Sequence, residues 1–269
     1  MDKDIQLQYL GYLNTPLLWE SGEIEGIEQI ELHEKPTPPL QKTVATNVRL
    51  GRRIEEFVSE ELQQNKNIEI LLENFQIQQK KQTIGEIDCI LKQNGQPVHL
   101  EVMYKFYLYD ETVGNSEIER WIGTNRTDSF YKKITKLKNK QFPILFNENM
   151  LPTLKKLEID PDEIQQRVLF KAQLFVPYEK EDVNFSKLNK NCLQGFYIRL
   201  PQLSAFKNCK LYKPTKMNNL IEVTPQANWM GYTEFKEKVT PIVENKGAPL
   251  CWVKFPNGII KKFFIVWWE

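Results

Sequence analysis

Several features that commonly identify a protein class are missing from this sequence. No apolar run approaches the roughly twenty residues that a helix needs to span a bilayer, so no membrane association is expected. The first residues, MDKDIQLQYL, lack the basic region and the small-residue cleavage site of a secretory signal. Both absences predict a cytoplasmic protein.

The usual ligands of zinc are also scarce. There are two histidines, His33 and His99, which are too few for a histidine-rich metal site. The cysteines have no C-x-x-C spacing and are better interpreted as small buried residues in a reducing compartment: Cys89, Cys192, Cys209 and Cys251.

An excess of positive charge is absent as well. Lys and Arg total 36 and Asp and Glu total 35, which gives a net charge of +1. Global charge therefore gives no signal for nucleic-acid binding, and any contact with phosphate must come from local patches of cations.

Hydrophobic periodicity predicts an α/β or α+β fold, in which helices flank a mixed central sheet. Helices are expected over 5–19, 47–65, 126–142, about 161–167 and 233–246. Strands are expected over 68–78, 83–93, 96–109 and 168–177, and a last hairpin is expected around Pro256-Asn257-Gly258.

The middle of the chain predicts a β-hairpin. Asn94-Gly95 separates two β-rich runs, and this pair is a strong signal for a two-residue turn between antiparallel strands. Alternation of side chains places Asp88 on one face of the first strand, and it places Glu101 and Lys105 on one face of the second. Pairing across the turn can bring Asp88 and Glu101 together.

Two neighbouring carboxylates repel each other unless a proton or a cation intervenes. Carboxylate oxygens with water suit Mg²⁺ or Mn²⁺ better than Zn²⁺. Such an ion can acidify water and stabilise charge on a phosphate, and a nearby lysine can add positive charge. A solvated hairpin face with structural ion pairs remains an alternative for the same residues.

The order of elements resembles the PD-(D/E)XK nuclease superfamily, which has an αβββαβ core. More closely, the chain resembles a bacterial family of unknown function, domain-of-unknown-function family 1853. The matching segments cover about 47–178 and read RLGRRIEEF, GEIDCIL, HLEVMYKFYL and WIGTNRTDSFYKKITKLKNKQ, with LFKAQLFVP as a looser match. The resemblance implies one nuclease-like domain over 1–269, with a restriction-endonuclease-like core, an N-terminal helical extension (1–46) and a C-terminal elaboration (180–269).

The resemblance also implies roles for particular residues. Asp88 and Glu101 would be metal ligands, Lys105 the catalytic lysine, and Glu55 a third carboxylate at the metal, in a supporting role. Asp128, Lys132 and Gln141 match family positions whose roles are open. The superfamily usually has Glu-x-Lys, whereas this sequence reads Glu101-Val-Met-Tyr-Lys105, which adds about 6.6 Å of strand between the two groups.

A lysine stripe follows the hairpin. Lys132, Lys136 and Lys140 recur every four residues and could meet a phosphate backbone, although a solvated helix face gives the same pattern. The predicted function is a Mg²⁺- or Mn²⁺-dependent nuclease that acts on DNA or RNA. The alternative is a catalytically inactive nuclease-like scaffold that binds nucleic acid or protein.

Overall fold

The fold is of the α+β class, with a large mixed sheet flanked by helices. The computed structural model describes residues 3–32, 38–41, 43–45, 48–180, 183 and 185–268. His33, one of the two histidines of the sequence, lies outside the described residues. The coarse prediction of a mixed sheet with flanking helices is confirmed. The finer assignment to a restriction-endonuclease-like core stays a prediction.

The α-helices are α1 (Lys3–Leu13), α2 (Leu50–Gln63), α3 (Phe130–Lys136), α4 (Leu151–Lys156) and α5 (Tyr232–Glu244). The strands are β1 (Glu23–Ile24), β2 (Ile27–Glu28), β3 (Ile68–Gln79), β4 (Gln82–Gln93), β5 (Gln96–Tyr109), β6 (Trp121–Gly123), β7 (Gln165–Pro177), β8 (Leu193–Arg199), β9 (Lys210–Tyr212), β10 (Leu250–Lys254) and β11 (Ile260–Val266).

Packing divides the chain into two compact units. The first unit comprises Leu17–Tyr104 and Lys132–Lys171. The second unit comprises Met1–Pro16, Lys105–Tyr131 and Ala172–Glu269. These boundaries cut across the predicted core at 47–178, and the description of the chain as a single domain stays a prediction.

The first unit is organised by the predicted hairpin. β3 pairs antiparallel with β4, and β4 pairs antiparallel with β5. At the turn, Asn94 has φ 51° and Gly95 has φ 82°, the left-handed conformations that a two-residue hairpin turn requires. The apolar side of this sheet packs on a buried cluster that includes Ile77, Ile87 and Leu145. The antiparallel hairpin predicted from the sequence is thus confirmed.

The helix predicted over 126–142 is shorter and changes its winding. α3 ends at Lys136, and a π-helical turn follows over Leu137–Gln141, where the Phe142 amide donates to the Leu137 carbonyl at 2.9 Å. Pro143 then begins a 3₁₀ helix. Because proline has no N–H, it cannot continue an α-helical hydrogen-bond series, and the chain changes helix type before it.

The prediction of a helix near 161–167 is wrong. The Asp160 carboxylate accepts a hydrogen bond from the Asp162 amide at 3.0 Å, which makes a turn that competes with a helix. β7 begins immediately afterwards, at Gln165. The helix of this region lies earlier, at α4, and the sequence prediction had missed it.

The second unit contains the confirmed C-terminal hairpin of β10 and β11, which pair antiparallel from Leu250↔Phe264 to Lys254↔Ile260. β11 is parallel to β8, and β10 is antiparallel to β9. α5 confirms the predicted helix at 233–246, whereas α1 ends at Leu13 rather than at 19. Pro16 disfavours helical geometry at the preceding residue, which limits how far α1 can extend.

The predictions about the cysteines and about the missing membrane spans can be compared with the described residues. The four cysteines are free and buried, which confirms the packing role expected for them. Within the described parts of the chain, none of the helices combines the length and apolarity needed to cross a membrane. The cellular compartment stays a prediction.

Candidate functional site

Asp88 and Glu101 lie where the backbone ladder between β4 and β5 stops. The last paired residues are Cys89 and Leu100. Beyond them, the Val102 amide donates to Asp88 Oδ2 at 2.9 Å, and the Asp88 amide hydrogen-bonds to the Glu101 carboxylate. Side-chain oxygens therefore replace the next backbone contacts, and this exchange holds the two carboxylates next to each other, as the hairpin register predicts.

Both carboxylates are costly to ionise in this position. Burial, and then the charge of Glu101, raises the pKa of Asp88 from 3.8 to about 7. Burial raises the pKa of Glu101 from 4.5 to about 7, although hydrogen bonds to its carboxylate act in the opposite direction. A pair of acids that is difficult to ionise, and that shares one location, favours uptake of a proton or of a cation.

A buried chain of polar groups fixes the orientation of Glu101. His99, which is fully buried, lies with Nε2 3.0 Å from Glu101 Oε1 and with Nδ1 3.1 Å from Gln166 Nε2. Gln166 Nε2 also donates to the Phe142 carbonyl at 2.8 Å. Because an amide nitrogen only donates, Nδ1 accepts and Nε2 carries the proton that goes to Glu101. Burial lowers the pKa of His99 to about 4, which keeps the ring neutral.

Gln141 reaches the same carboxylate from the π-helical turn. Its Nε2 donates to Glu101 Oε2, so each oxygen of Glu101 has a donor from a different element. The other atom of this amide, Oε1, is buried and has no hydrogen-bond partner among the described residues. The amide that contacts Glu101 thus also carries a buried oxygen with unsatisfied hydrogen-bonding capacity.

Charges from three further residues act on the pair. The negative charges of Glu55 and Glu86 raise the pKa of Asp88, and the positive charge of Lys136 lowers that of Glu101. Glu55 also makes an ion pair with Arg52 at 2.9 Å. The structure therefore gathers Asp88, Glu101, Glu55 and Lys136 from the predicted set into one electrostatic environment.

Lys105 belongs to the second unit, where its Nζ lies 2.9 Å from Asp128 Oδ2. Both side chains are about one third exposed, so this is a partly solvated ion pair. Met103, at the position where the superfamily has its lysine, is buried. Nothing in the geometry of Lys105 tests its predicted catalytic role, which stays a prediction.

The two other lysines of the predicted stripe, Lys132 and Lys140, are exposed. The change from α to π winding after Lys136 means that the stripe does not follow one regular helix. Their role in nucleic-acid binding is untested and stays a prediction.

The residues present fit a divalent cation in a limited way. Within the described part of the chain, no group of three or more His, Cys, Asp or Glu side chains could hold an ion by itself. Mg²⁺, however, usually keeps several waters and binds through one or two carboxylates. Asp88, whose Oδ1 accepts no hydrogen bond from the described residues, and Glu101 supply two carboxylates, which is the number that such an ion needs.

Two residues of this environment were missed by the sequence analysis. Glu86 lies within the strand predicted at 83–93 and was given no role, and Gln166 was placed in a predicted helix. Gln166 is 67 positions from His99 in the chain, so no local pattern could have joined them. Only a correct prediction that β7 begins at Gln165 would have indicated that the Gln166 side chain faces inward.

The fold and the site define a mixed α+β protein with a buried carboxylate pair on a β-hairpin. The chain belongs to the family described as Domain of unknown function (DUF1853), whose family model matches residues 17–254. The predicted resemblance to family 1853 is therefore confirmed, whereas the relation to the PD-(D/E)XK superfamily stays a prediction. No curated protein and no solved structure matches the chain.

Proposed function

We propose that this protein is a divalent-metal-dependent phosphodiester hydrolase that acts on nucleic acid. The observation that carries the proposal is the buried pair of Asp88 and Glu101, whose pKa values are both raised to about 7. Burial of two acids side by side is unfavourable for a scaffold, but it creates a site that a hard cation would neutralise. The sequence order of α2, three antiparallel strands and α3 supports membership of the PD-(D/E)XK superfamily.

Asp88 and Glu101 would hold Mg²⁺ or Mn²⁺, and Gln141 Oε1 would complete the protein ligands. Such an ion supplies acidified water and neutralisation of phosphate charge. In the hydrolysis, a water oxygen bonds to phosphorus, the bond from phosphorus to the leaving sugar oxygen breaks, and that oxygen takes a proton. His99 and Gln166 orient Glu101 for this task, and Glu55 strengthens the negative potential that attracts the ion.

The test is titration calorimetry of Mg²⁺ and Mn²⁺ into wild type and Asp88→Ala, followed by incubation with mixed DNA and RNA. We expect wild type to bind metal and to cleave, and we expect Asp88→Ala to lose at least about a hundredfold in metal affinity. Asp162→Ala removes an exposed carboxylate from the same unit and serves as the matched control. Metal binding that survives in Asp88→Ala removes Asp88 from the site.

A second candidate is a catalytically inactive scaffold that binds nucleic acid or protein. The observation that favours it is the Lys105–Asp128 ion pair, because a lysine held by a carboxylate has less charge to offer a phosphate. Under this alternative, wild type and Asp88→Ala would bind DNA or RNA equally well in gel-shift assays and neither would cleave it. Fold alone does not choose between the two.

A further inference from the structure

The proposed reaction needs a positive charge from the protein at the carboxylate pair. Glu55, Glu86, Asp88 and Glu101 all contribute negative charge there, and a nucleic-acid phosphate would add more. A cation on the protein would reduce this repulsion and stabilise charge that develops in the transition state. The predicted source, Lys105, already makes an ion pair with Asp128.

The π-helical turn indicates a different source. Lys136 ends α3 and Gln141 ends the π turn, so the two residues are five positions apart at opposite ends of one wide turn. In an α-helix, residues five apart differ by about 140° around the axis and face different directions. In a π turn, hydrogen bonds join residues five apart, which therefore become neighbours on one side. Gln141 contacts Glu101, so this side is the one directed at the carboxylates.

The surroundings of Lys136 leave its ammonium group available. The side chain is exposed, and no carboxylate of the described residues lies within ion-pair distance of it. Its neighbour Lys138 instead donates to the Glu25 carbonyl at 3.1 Å. The positive charge of Lys136 also acts on Glu101, which agrees with the position inferred from the turn.

We propose that Lys136, and not Lys105, is the catalytic cation of this site, brought beside Glu101 by the π turn to contact the phosphate that is cleaved. This inference rests on the proposed hydrolase function. It also gives the π turn a role in the site, because a regular α-helix over the same residues would place Lys136 and Gln141 on different sides of the helix.

The inference predicts two opposite effects of one substitution. Lys136→Met removes a positive charge that opposes metal uptake, so Mn²⁺ should bind about fivefold more tightly in calorimetry. The same variant should cleave DNA or RNA about a hundredfold more slowly at saturating Mn²⁺. A general structural defect would instead weaken both properties. Lys136→Arg, which keeps the charge, should restore wild-type Mn²⁺ affinity and part of the cleavage.

Lys155→Met is the matched control, because it removes one exposed lysine charge from the same unit and leaves Lys136 in place. We expect it to retain wild-type Mn²⁺ affinity and cleavage, and we expect Lys105→Met to slow cleavage less than Lys136→Met does. Unchanged or weaker Mn²⁺ binding in Lys136→Met, or loss of cleavage in Lys105→Met alone, overturns the inference.

Failure of the hydrolase function has a separate signature. A wild type that binds Mn²⁺ but cleaves neither DNA nor RNA refutes the function, and the catalytic role of Lys136 with it. The calorimetric comparison then still decides whether Lys136 faces Glu101. A wild type that takes up no Mn²⁺ refutes both proposals.

Discussion

At the scale of single residues, the carboxylate pair is expensive for the fold. Asp88 and Glu101 hold their protons up to a pKa of about 7 because burial penalises their charged forms. Their hydrogen bonds come from the backbone amides of Val102 and Asp88 and from the side chains of His99 and Gln141, which fix geometry without supplying a full positive charge. Such an arrangement is favoured when a ligand, rather than the protein, completes the charge balance.

The pKa of Asp88 gives a direct prediction for stability. The folded-state pKa of about 7 lies above the ordinary value of 3.8, so the contribution of this group is fully present below pH 3.8 and is lost as pH rises through about 7. Asp88→Asn keeps an oxygen that can accept from Val102 but never ionises. We therefore expect Asp88→Asn to be more stable than wild type by about 1–3 kcal/mol at pH 8 with a chelator present.

The measurement is urea denaturation at pH 4 and pH 8. At pH 4 the two proteins should have nearly equal free energies of unfolding, since Asp88 is then protonated when folded. Asp162→Asn, at an exposed position, should follow wild type at both pH values. An Asp88→Asn variant that is less stable at pH 8 would show that the carboxylate is not under electrostatic strain.

At the scale of elements, the Asn94-Gly95 turn sets the register that brings Asp88 to Glu101. A Cβ at Gly95 would meet nothing within 4 Å, so only its φ of 82° disfavours another residue. We expect Gly95→Ala to destabilise the protein by about 1–2 kcal/mol in urea denaturation, because left-handed geometry is strained for L-residues.

Gly51 offers the matched control for that substitution. It lies in α2, and a Cβ there also meets nothing within 4 Å. Gly51→Ala should therefore stabilise the protein by up to about 0.5–1 kcal/mol, since alanine loses less backbone entropy than glycine when it becomes helical. Equal effects of the two substitutions would mean that the backbone conformation of the turn is not what matters at Gly95.

Local patterns predicted β3, β4 and β5 almost to the residue, because alternating side chains and a two-residue turn leave little freedom in register. The same patterns could not predict the π turn. They would continue α3 to about 142, whereas Pro143 removes a donor and the contact between Gln141 and Glu101 rewards a wider winding. The contacts of Gln166 could not be predicted for a related reason, because its partners come from distant parts of the chain.

At the scale of the whole molecule, a net charge of +1 leaves little long-range attraction for nucleic acid. Affinity for a phosphate backbone would have to come from a few cations placed near the carboxylates. A protein that binds in this way should show a shallow dependence of affinity on salt, and most of that dependence should be removable by a small number of substitutions.

Replacement of Lys132, Lys136 and Lys140 by alanine tests this expectation. Three lost phosphate contacts should reduce the slope of log affinity against log salt by about 2.7 on duplex DNA, measured by fluorescence anisotropy with a chelator present. A control variant loses three exposed lysines of the second unit instead: Lys207, Lys216 and Lys236. An equal change of slope in both variants would mean that binding is diffuse and that the lysine stripe has no special part in it.

The bond between Val102 and Asp88 gives the site a reporter of its own. An amide in a regular β-ladder is shielded from solvent exchange by a neighbouring carbonyl, so its proton records opening of the backbone. The Val102 proton is shielded by a carboxylate instead. Its exchange with deuterium, and its chemical shift, therefore follow the ionisation and occupancy of Asp88, so that one amide signal can reveal a bound ligand before that ligand has been identified.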